Sequence, residues 1–408
     1  MKIWGNTFTV VASVLAVVLA LGPVNTALAD PGEGHRSDGI QMGGFTLYPS
    51  LRGSIGFDDN VFAQQMNEVD DTYFELSPEL LLQSNWSRHE LILQLTNENV
   101  WYDTQGSEDY SDWTIGGEGR VDVSYATSIH GRAVYSNLTE RRGDSNVLGN
   151  AAEPTEYDRF DGYGEIRHTF NRLGLAFGAG LSDFDYDDVP AIGGGTIDND
   201  NRDRQVTLYQ GEVNYAVSPD TFAFVRGTWN DRDYDQQPPA VALNRDSDGY
   251  EVVGGLRFDV TRLIDGEVYA GYLEQDYDAL GDIDAFSYGA SLDYYITQLT
   301  TLTFEAGRAV EETNQAAASG YLASSIGGGI RHELMRNVIL NASANFQNND
   351  YEGSIRDEDI WIAELGAEYF LNRNVSLEVG YNFSTRESTL PFADYDRNRA
   401  WLAVTGAF

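Results

Sequence analysis

Residues 113–125 read WTIGGEGRVDVSY, and this stretch decides the fold class. Its apolar and glycine residues fall on every second position, from Trp113 through Val121 to Tyr125, while Glu118 and Arg120 stand between them. A period of two puts successive side chains on opposite faces of a β-strand. The stretch therefore predicts a strand with one apolar face and one charged face.

The same alternation recurs along the chain, for example over residues 250–260 (YEVVGGLRFDV) and 375–384 (VSLEVGYNFS). Two folds use strands of this kind. A soluble sandwich buries the apolar face against a second sheet. A membrane barrel turns that face to lipid and keeps the charges in its lumen.

The spacing of the turns favours the barrel. Short turns recur at intervals of about 36 to 48 residues, near Trp86, Ser128, Asn171, Pro219, Arg262, Gln298, Arg336 and Arg373. Longer polar loops lie between the strands, at Asp58–Asp71, Asp103–Tyr110, Arg142–Glu156, Asp187–Asp203, Tyr234–Asp248, Asp278–Asp284, Glu312–Ser319, Tyr351–Asp357 and Thr385–Arg397. Short turns on one side and long loops on the other are typical of outer-membrane barrels, whereas sandwiches turn about every 8–12 residues. The pattern predicts an all-β, transmembrane antiparallel up-and-down barrel of about 18 strands, with short periplasmic turns and longer extracellular loops.

The N-terminus predicts an exported protein. Lys2 precedes an apolar run, Val10–Leu21, that is too short to span a bilayer. The small residues of Ala27-Leu28-Ala29 then suit cleavage by a signal peptidase. We expect a cleaved signal peptide over residues 1–29, a short periplasmic segment over 30–44 and the barrel over 45–408. The predicted location is the outer membrane of a Gram-negative bacterium.

Composition excludes several classes of protein. The 408 residues carry 64 acidic and 26 basic side chains, a net charge of −38, whereas a nucleic-acid binder needs a basic surface. A mean hydropathy of −0.37 excludes a bundle of membrane helices. The lack of cysteine excludes disulfides, thiolate-held zinc, iron–sulfur clusters and a thiol nucleophile. Residues 30–44 are too few for a plug domain, and barrels of about 16–18 strands leave an aqueous channel.

The outer surface is expected to contact membrane lipid and lipopolysaccharide. Aromatic residues gather at the predicted strand ends, as in the interface girdles of membrane barrels. They are Phe170, Tyr215, Tyr294 and Phe370 by the short turns, and Trp101, Trp113, Trp229, Tyr250, Tyr272 and Trp361 by the loops. Phe408 ends an alternating strand and shares a face with Leu402 and Val404, which resembles the membrane-assembly signal of bacterial outer-membrane barrels. The barrel assembly machinery is therefore an expected partner.

The charged face predicts the lining of the pore. Its carboxylates outnumber its arginines, which predicts a mild preference for cations. Most of these charges are expected to hydrate and brace the barrel, because a charged lumen is the usual pattern of such proteins. The candidate pore-lining residues are Arg52, Glu75, Glu79, Glu118, Arg120, Asp122, Arg132, Arg159, Glu165, Arg167, Glu212, Arg226, Glu251, Arg257, Asp259, Glu267, Glu305, Arg331, Glu364, Glu368 and Glu378.

Acidic clusters in the loops are weak candidates for calcium, which prefers carboxylate and carbonyl oxygens. The candidates are Asp58, Asp59, Asp198 and Asp200, and none has the spacing of the EF-hand calcium loop. Solvated loops are the favoured interpretation. No metal and no cofactor is therefore predicted.

No catalytic residue is predicted either. The sequence contains no G-x-S-x-G, no H-E-x-x-H and no phosphate-binding loop. His168 and His332 are the candidate bases for a Ser–His lipase, but both fall on the apolar face near short turns. We therefore expect that the protein is not an enzyme.

The first hairpin is the most specific part of the sequence. GFTLYPSL at 44–51 leads to GFDDNVF at 56–62, and LSP at 76–78 and QSNWSRH at 83–89 follow. This hairpin resembles the putative beta-barrel porin type 2 family of outer-membrane proteins, to which the later hairpins are similar in pattern. The resemblance implies a conduit for exopolysaccharide secretion, because family members often accompany such systems, with periplasmic polysaccharide-export proteins as partners.

Two alternatives stay open beside the polysaccharide conduit. One is a passive porin for small polar solutes, and the other is a structural or adhesive barrel with a blocked lumen. A long loop folded into the lumen would favour the porin, and for the longest predicted loop, Asp187–Asp203, both places stay open, inside the lumen or outside it.

Overall fold

The computed structural model describes residues 37–147, 149–236, 243–260, 263–315 and 318–408. Eighteen long strands of these residues form one antiparallel sheet that closes on itself, which confirms the predicted fold class and strand number. They are β1 (Phe45–Asp58), β2 (Asp71–Ser84), β3 (Glu90–Tyr102), β4 (Tyr110–Asp122), β5 (Thr127–Thr139), β6 (Glu156–Phe170), β7 (Leu173–Tyr186), β8 (Arg204–Ser218), β9 (Thr221–Tyr234), β10 (Ser247–Val260), β11 (Ile264–Tyr277), β12 (Ile283–Thr297), β13 (Thr300–Glu312), β14 (Gly320–Met335), β15 (Val338–Tyr351), β16 (Asp357–Asn372), β17 (Val375–Ser388) and β18 (Tyr395–Ala407).

The two ends of the chain close the barrel. β1 pairs with β18 from Ser50 opposite Ala407 to Asp58 opposite Arg399. The backbone amide of Phe408 continues this ladder with a hydrogen bond to the carbonyl oxygen of Pro49 at 3.0 Å. Closure leaves no free strand edge, which is the condition for a sheet to cross lipid.

A few short elements accompany the long strands in the described part of the chain. The strand Ile40–Met42 pairs with the start of β1 at the short-turn end. The strands Val189–Pro190 and Thr196–Ile197 pair with each other in the loop between β7 and β8. Two 3₁₀ turns span Gly106–Glu108 and Asp200–Arg202. The predicted signal peptide, residues 1–29, lies outside the described residues.

The connections are short at one end of the barrel and longer at the other, as the sequence predicts. The links between β6 and β7, β8 and β9, and β12 and β13 are single tight turns. The connections that begin after β1, β5, β7 and β9 are the long ones, over residues 59–70, 140–155, 187–203 and 235–246. Loops at this second end therefore have enough chain to reach across the mouth of the barrel.

The outer face is apolar. Phe177 and Val225 are each 57 % exposed, and exposed Val, Leu, Ile and aromatic side chains cover the outside of nearly every strand. A soluble monomer rarely exposes contiguous apolar patches beyond a few hundred Å², so this surface fits lipid. Within the described residues, no α-helix has the length and apolarity needed to cross a bilayer.

Aromatic residues gather near the strand ends. Tyr209 stacks on Trp229, with ring centroids 5.8 Å apart, and both side chains are exposed. Phe370 departs from the expected girdle. Tyr369, 46 % exposed, is the outward residue instead, and the β-bulge in the pairing of β16 with β17 comes only after Phe370. Trp361 also faces outward, and Phe370 stands nine residues from it, so regular alternation places the two on opposite faces.

Candidate channel constriction

The predicted lining residues are joined by ion pairs along the wall, and the largest cluster braces β8–β11. Arg226 lies opposite Glu212 in the register, and Arg257 lies opposite Glu267. Each of the two arginines contacts both carboxylates at 3.1 Å. The Arg226 side chain is 2 % exposed, so this cluster is packed into the wall rather than offered to solutes.

The other predicted lining residues are spread around the wall, and some of them form ion pairs. Arg52 contacts Glu75 at 2.6 Å and Glu378 at 3.5 Å, and Arg120 contacts Asp122 at 3.2 Å. The remaining ones have these neighbours: Glu79 opposite Ser50, Glu118 opposite Arg132, Arg159 opposite Ser136, Glu165 in contact with Arg167, Glu251 opposite Thr228, Asp259 opposite Asp265, Glu305 opposite Ser291, Arg331 opposite Asn341, Glu364 opposite Asn382, and Glu368 opposite Glu378. The paired members fit a bracing role.

The loop over residues 140–155, between β5 and β6, crosses the mouth of the barrel. Its backbone forms hydrogen bonds with successive strands of the far wall. The carbonyl oxygen of Arg142 accepts a hydrogen bond from Arg397 of β18 at 3.2 Å. The carbonyl oxygen of Gly143 accepts one from Arg386 of β17, also at 3.2 Å. We call residues 140–155 the constriction loop.

The next loop residues continue around the same wall. The carbonyl oxygen of Ser145 accepts a hydrogen bond from Arg356, which immediately precedes β16, at 2.6 Å. The hydroxyl oxygen of Ser145 accepts one from Asn349 of β15 at 3.0 Å. Asn146 donates to the carbonyl oxygen of Glu312, the last residue of β13, at 3.0 Å. Because β5 and β6 stand far from β13–β18 around the ring, the loop narrows the opening between them.

Two buried carboxylates hold the three arginines that seat the loop. We call Arg356, Arg386 and Arg397 the arginine clamp. Glu358 accepts a hydrogen bond from Arg356 at 2.7 Å and lies 3.9 Å from Arg386. Asp58 accepts from the Nε of Arg397 at 3.0 Å, and both carboxylates are 0 % exposed. Pairing removes the cost of burying these charges and points the guanidinium groups at the loop.

These contacts change the interpretation of two calcium candidates. The carboxylate of Asp58 accepts hydrogen bonds from Arg397 and from the backbone amide of Asn60, the latter at 3.1 Å. The carboxylate of Asp59 accepts from the backbone and side-chain amides of Asn398, at 2.6 and 2.7 Å. The ion pair with Arg397 makes Asp58 a poor calcium ligand, because a guanidinium cation already neutralises its carboxylate.

A glycine lets the constriction loop approach the wall. Gly143 has a φ of +100°, which L side chains rarely adopt. A Cβ atom at this position would stand 2.9 Å from the hydroxyl oxygen of Tyr395 and 3.3 Å from the Cβ of Ala63. The close contact between the loop and β18 therefore requires glycine.

The first residues of the constriction loop also form ion pairs with the neighbouring wall. Arg141 contacts Glu98 of β3 at 2.8 Å, and Arg142 contacts Glu108 in the loop between β3 and β4 at 2.7 Å. Ion pairs of Arg141 and Arg142 and hydrogen bonds of residues 142–146 thus hold the first half of the loop in place.

The longest predicted loop packs on the constriction loop. In residues 187–203, Ala191 forms a β-bridge with Ala151 and Arg202 pairs with Glu140. The sequence left open whether Asp187–Asp203 folds into the lumen or stays outside, and the loop that contacts the far wall is the one over residues 140–155. Both loops are long and polar, and sequence pattern does not distinguish them.

Asp144 is the titratable group of interest within the constriction loop. Burial and the neighbouring Glu140 raise the pKa of its carboxyl group to about 7, although Arg141 and Arg386 oppose the shift. Its Oδ2 accepts a hydrogen bond from the backbone amide of Arg141 at 3.0 Å. The loop thus contains a charge that changes near neutral pH.

The other calcium candidates lie in an exposed acidic group. Carboxylate oxygens of Asp188, Asp198 and Asp200 lie within 4.8 Å of one another. The charge of Asp198 raises the pKa of Asp200, as expected for unscreened neighbouring carboxylates. Exposed acidic groups of this kind fit solvated loops, the interpretation favoured from the sequence.

Alternation along the strands did not reveal the constriction loop or the arginine clamp. One local signal points to them. Arg141 and Arg142 stand next to each other in a chain with 26 basic and 64 acidic side chains, so a basic pair in a polar loop has many carboxylates to meet. Which carboxylates it meets depends on the closed barrel.

An 18-strand antiparallel barrel with an apolar outer face, a charged lumen and a loop across one mouth defines an outer-membrane, porin-like β-barrel channel. The fold points to a channel rather than to an enzyme. The family profile described as "Putative beta-barrel porin 2" matches residues 34–408. The chain belongs to this family, as the first hairpin indicates.

Known structures of similar shape are also outer-membrane proteins. OpdL of Pseudomonas aeruginosa is 11 % identical, over 90 % of this chain and 99 % of its own, with a TM-score of 0.45. OccK3 (OpdO) of the same organism is 13 % identical, over 89 % and 96 %, with a TM-score of 0.44. A BenF-like porin of Pseudomonas fluorescens Pf-5 is 10 % identical, over 92 % and 100 %, with a TM-score of 0.47. Identities and TM-scores this low say nothing about which solute passes through the channel. No curated protein matches the sequence.

Proposed function

We propose that the protein is a passive diffusion channel for small polar solutes, with the constriction loop as its size filter. The observation that carries this proposal is the strand-by-strand seating of residues 142–146 on the far wall. A loop held across an aqueous lumen limits the size of what passes without closing the barrel. The charged lining keeps the path wet and favours polar solutes.

The exopolysaccharide conduit has less support. Neither the family description nor the similar structures support polysaccharide export, and a long polymer needs the space that the constriction loop occupies. Displacing the loop would break its hydrogen bonds with the clamp arginines, each of which contributes about 1.5–3 kcal/mol. Among the alternatives open from the sequence, the infolded loop favours the porin.

Liposome swelling tests the proposal. Vesicles containing the folded protein are diluted into isosmotic solutions of neutral sugars of increasing size, from arabinose to a tetrasaccharide. We expect fast swelling with arabinose and slow or no swelling with the tetrasaccharide. A variant whose residues 142–152 are replaced by a short Gly–Ser linker should admit the larger sugar.

Two results would count against the proposal. The lack of swelling with any sugar, in vesicles whose protein resists proteolysis as a folded barrel does, would favour the structural or adhesive barrel. Equal size limits in the native and loop-replaced proteins would mean that the constriction loop is not the filter. Empty vesicles and vesicles with heat-unfolded protein are the controls.

A further inference from the structure

A cavity of about 150 Å³ lies beside the constriction loop, against the loop-side ends of β7–β9. It is roughly five times the share of one water molecule in the liquid, which is about 30 Å³. Its lining includes the guanidinium groups of Arg204 and Arg245, the rings of Tyr186 and Tyr234, and the carboxamide of Asn146. The cavity thus combines cations, aromatic faces and an amide at the narrow part of the proposed path.

Two of the lining arginines lack an acidic partner. Among the described residues, no carboxylate lies within ion-pair distance of Arg204 or Arg245. The Nη1 of Arg204 donates to the carbonyl oxygen of Arg202 at 2.9 Å, and the Nη2 of Arg245 donates to that of Gln315 at 2.7 Å. The hydrogen-bond partners of the two guanidinium groups are thus backbone oxygens, and Glu312 acts on Arg204 only from beyond ion-pair distance.

The carboxylates at the cavity already form ion pairs with other arginines. Glu140 pairs with Arg202, and Glu312 pairs with Arg232 from across the lumen. The hydroxyl of Tyr234 also donates to Glu312 at 2.6 Å. Three arginines, Arg202, Arg204 and Arg245, and one glutamate therefore line the cavity, although the chain as a whole carries −38.

Two buried polar atoms in the lining have no hydrogen-bond partner among the described residues. One is a donor, the Nε of Arg204, and the other is an acceptor, the Oδ1 of Asn146. Buried polar atoms are nearly always satisfied by protein, water or a ligand. A molecule that satisfies both atoms must offer an acceptor and a donor of its own.

We propose that this cavity binds a small hydroxylated carboxylate of the sugar-acid class. The inference rests on the proposed diffusion function and names a preferred solute. The carboxylate lies between Arg204 and Arg245, whose guanidinium forks suit planar carboxylates. A hydroxyl group donates to the Oδ1 of Asn146, and the apolar side of the sugar ring packs on Tyr234. A neutral sugar leaves both arginines unpaired, and the cavity discriminates against it for that reason.

Calorimetric titration of the folded protein in detergent tests the proposal without requiring transport. Galacturonate, galactose and inorganic phosphate are the probes, since the first two differ only in the carboxylate. We expect galacturonate to bind at least about tenfold more tightly than galactose, the factor that one charge-assisted hydrogen bond provides. Equal affinities for the two sugars would overturn the proposal. Phosphate binding as tight as that of galacturonate would overturn the assignment of a hydroxylated carboxylate.

Substitutions locate the site. Arg204→Gln and, separately, Arg245→Gln should each weaken galacturonate binding about tenfold or more. The matched control is Arg88→Gln, which removes the same charge from an exposed short turn, where Arg88 donates to the carbonyl oxygen of Asp122. Binding by either pocket variant that equals that of the control would place the site elsewhere and overturn the proposal. Failure of the diffusion proposal shows separately, as liposomes that do not swell while calorimetry still detects binding.

Discussion

Removing a member of the arginine clamp should release the constriction loop from the wall. Arg356 donates to the carbonyl oxygen of Ser145 at 2.6 Å, and its removal leaves Arg386 as the cation beside Glu358. A hydrogen bond from a charged group contributes about 1.5–3 kcal/mol. The Arg356→Gln change should therefore lower the ratio of seated to released loop by a factor of roughly 10–150.

A single introduced thiol can measure this ratio. The native chain has no cysteine, and Ser145 is 4 % exposed, so Ser145→Cys places one buried thiol at the seat of the loop. A polar thiol reagent reacts with this thiol only after the loop opens, and the rate of labelling then follows the population of the released state. The rate should rise by the same factor when Arg356→Gln is added, and single-channel conductance should rise with it.

The matched control is Arg373→Gln. Arg373 and its partner Asp38 are 66 % and 86 % exposed at the opposite end of the barrel. An exposed ion pair contributes about 0–1 kcal/mol, so this change should leave the labelling of the Ser145→Cys thiol nearly unchanged. Equal labelling rates with Arg356→Gln and with Arg373→Gln would refute the seating of the loop by the clamp.

Three further predictions follow from the same structure. Because the pKa of Asp144 is raised from 3.8 to about 7, the seated loop should be most stable below pH 4 and lose that stability as the pH rises through 7. The labelling rate of the Ser145→Cys thiol should therefore depend on pH, and the Asp144→Asn change should abolish this dependence. Arg226→Gln leaves two buried carboxylates with one arginine, and should lower the free energy of unfolding in urea by about 3 kcal/mol, against almost no change for Arg373→Gln. In a salt gradient, the reversal potential should show a mild cation preference, and an anion preference would contradict the expected role of the lumen carboxylates.

The strands and their number follow from local sequence. In residues 113–125 the alternation of apolar and charged side chains depends only on the geometry of a single strand, and the turn near Asn171 is likewise a local feature. The same alternation also corrects the expected girdle, because Phe370 stands an odd number of residues from Trp361 in a regular stretch of β16 and so lies on the opposite face.

By itself, the sequence determined that the wall of this protein is a closed run of two-faced strands, because each strand carries its own apolar and charged sides. Only the tertiary structure decided which loop crosses the mouth and which arginines hold it. The hydrogen bond of Ser145 with Asn349 joins residues 204 positions apart, and that of Arg397 with Asp58 joins residues 339 positions apart. Such partners become neighbours when the barrel closes, and a periodic pattern within one strand contains no information about them.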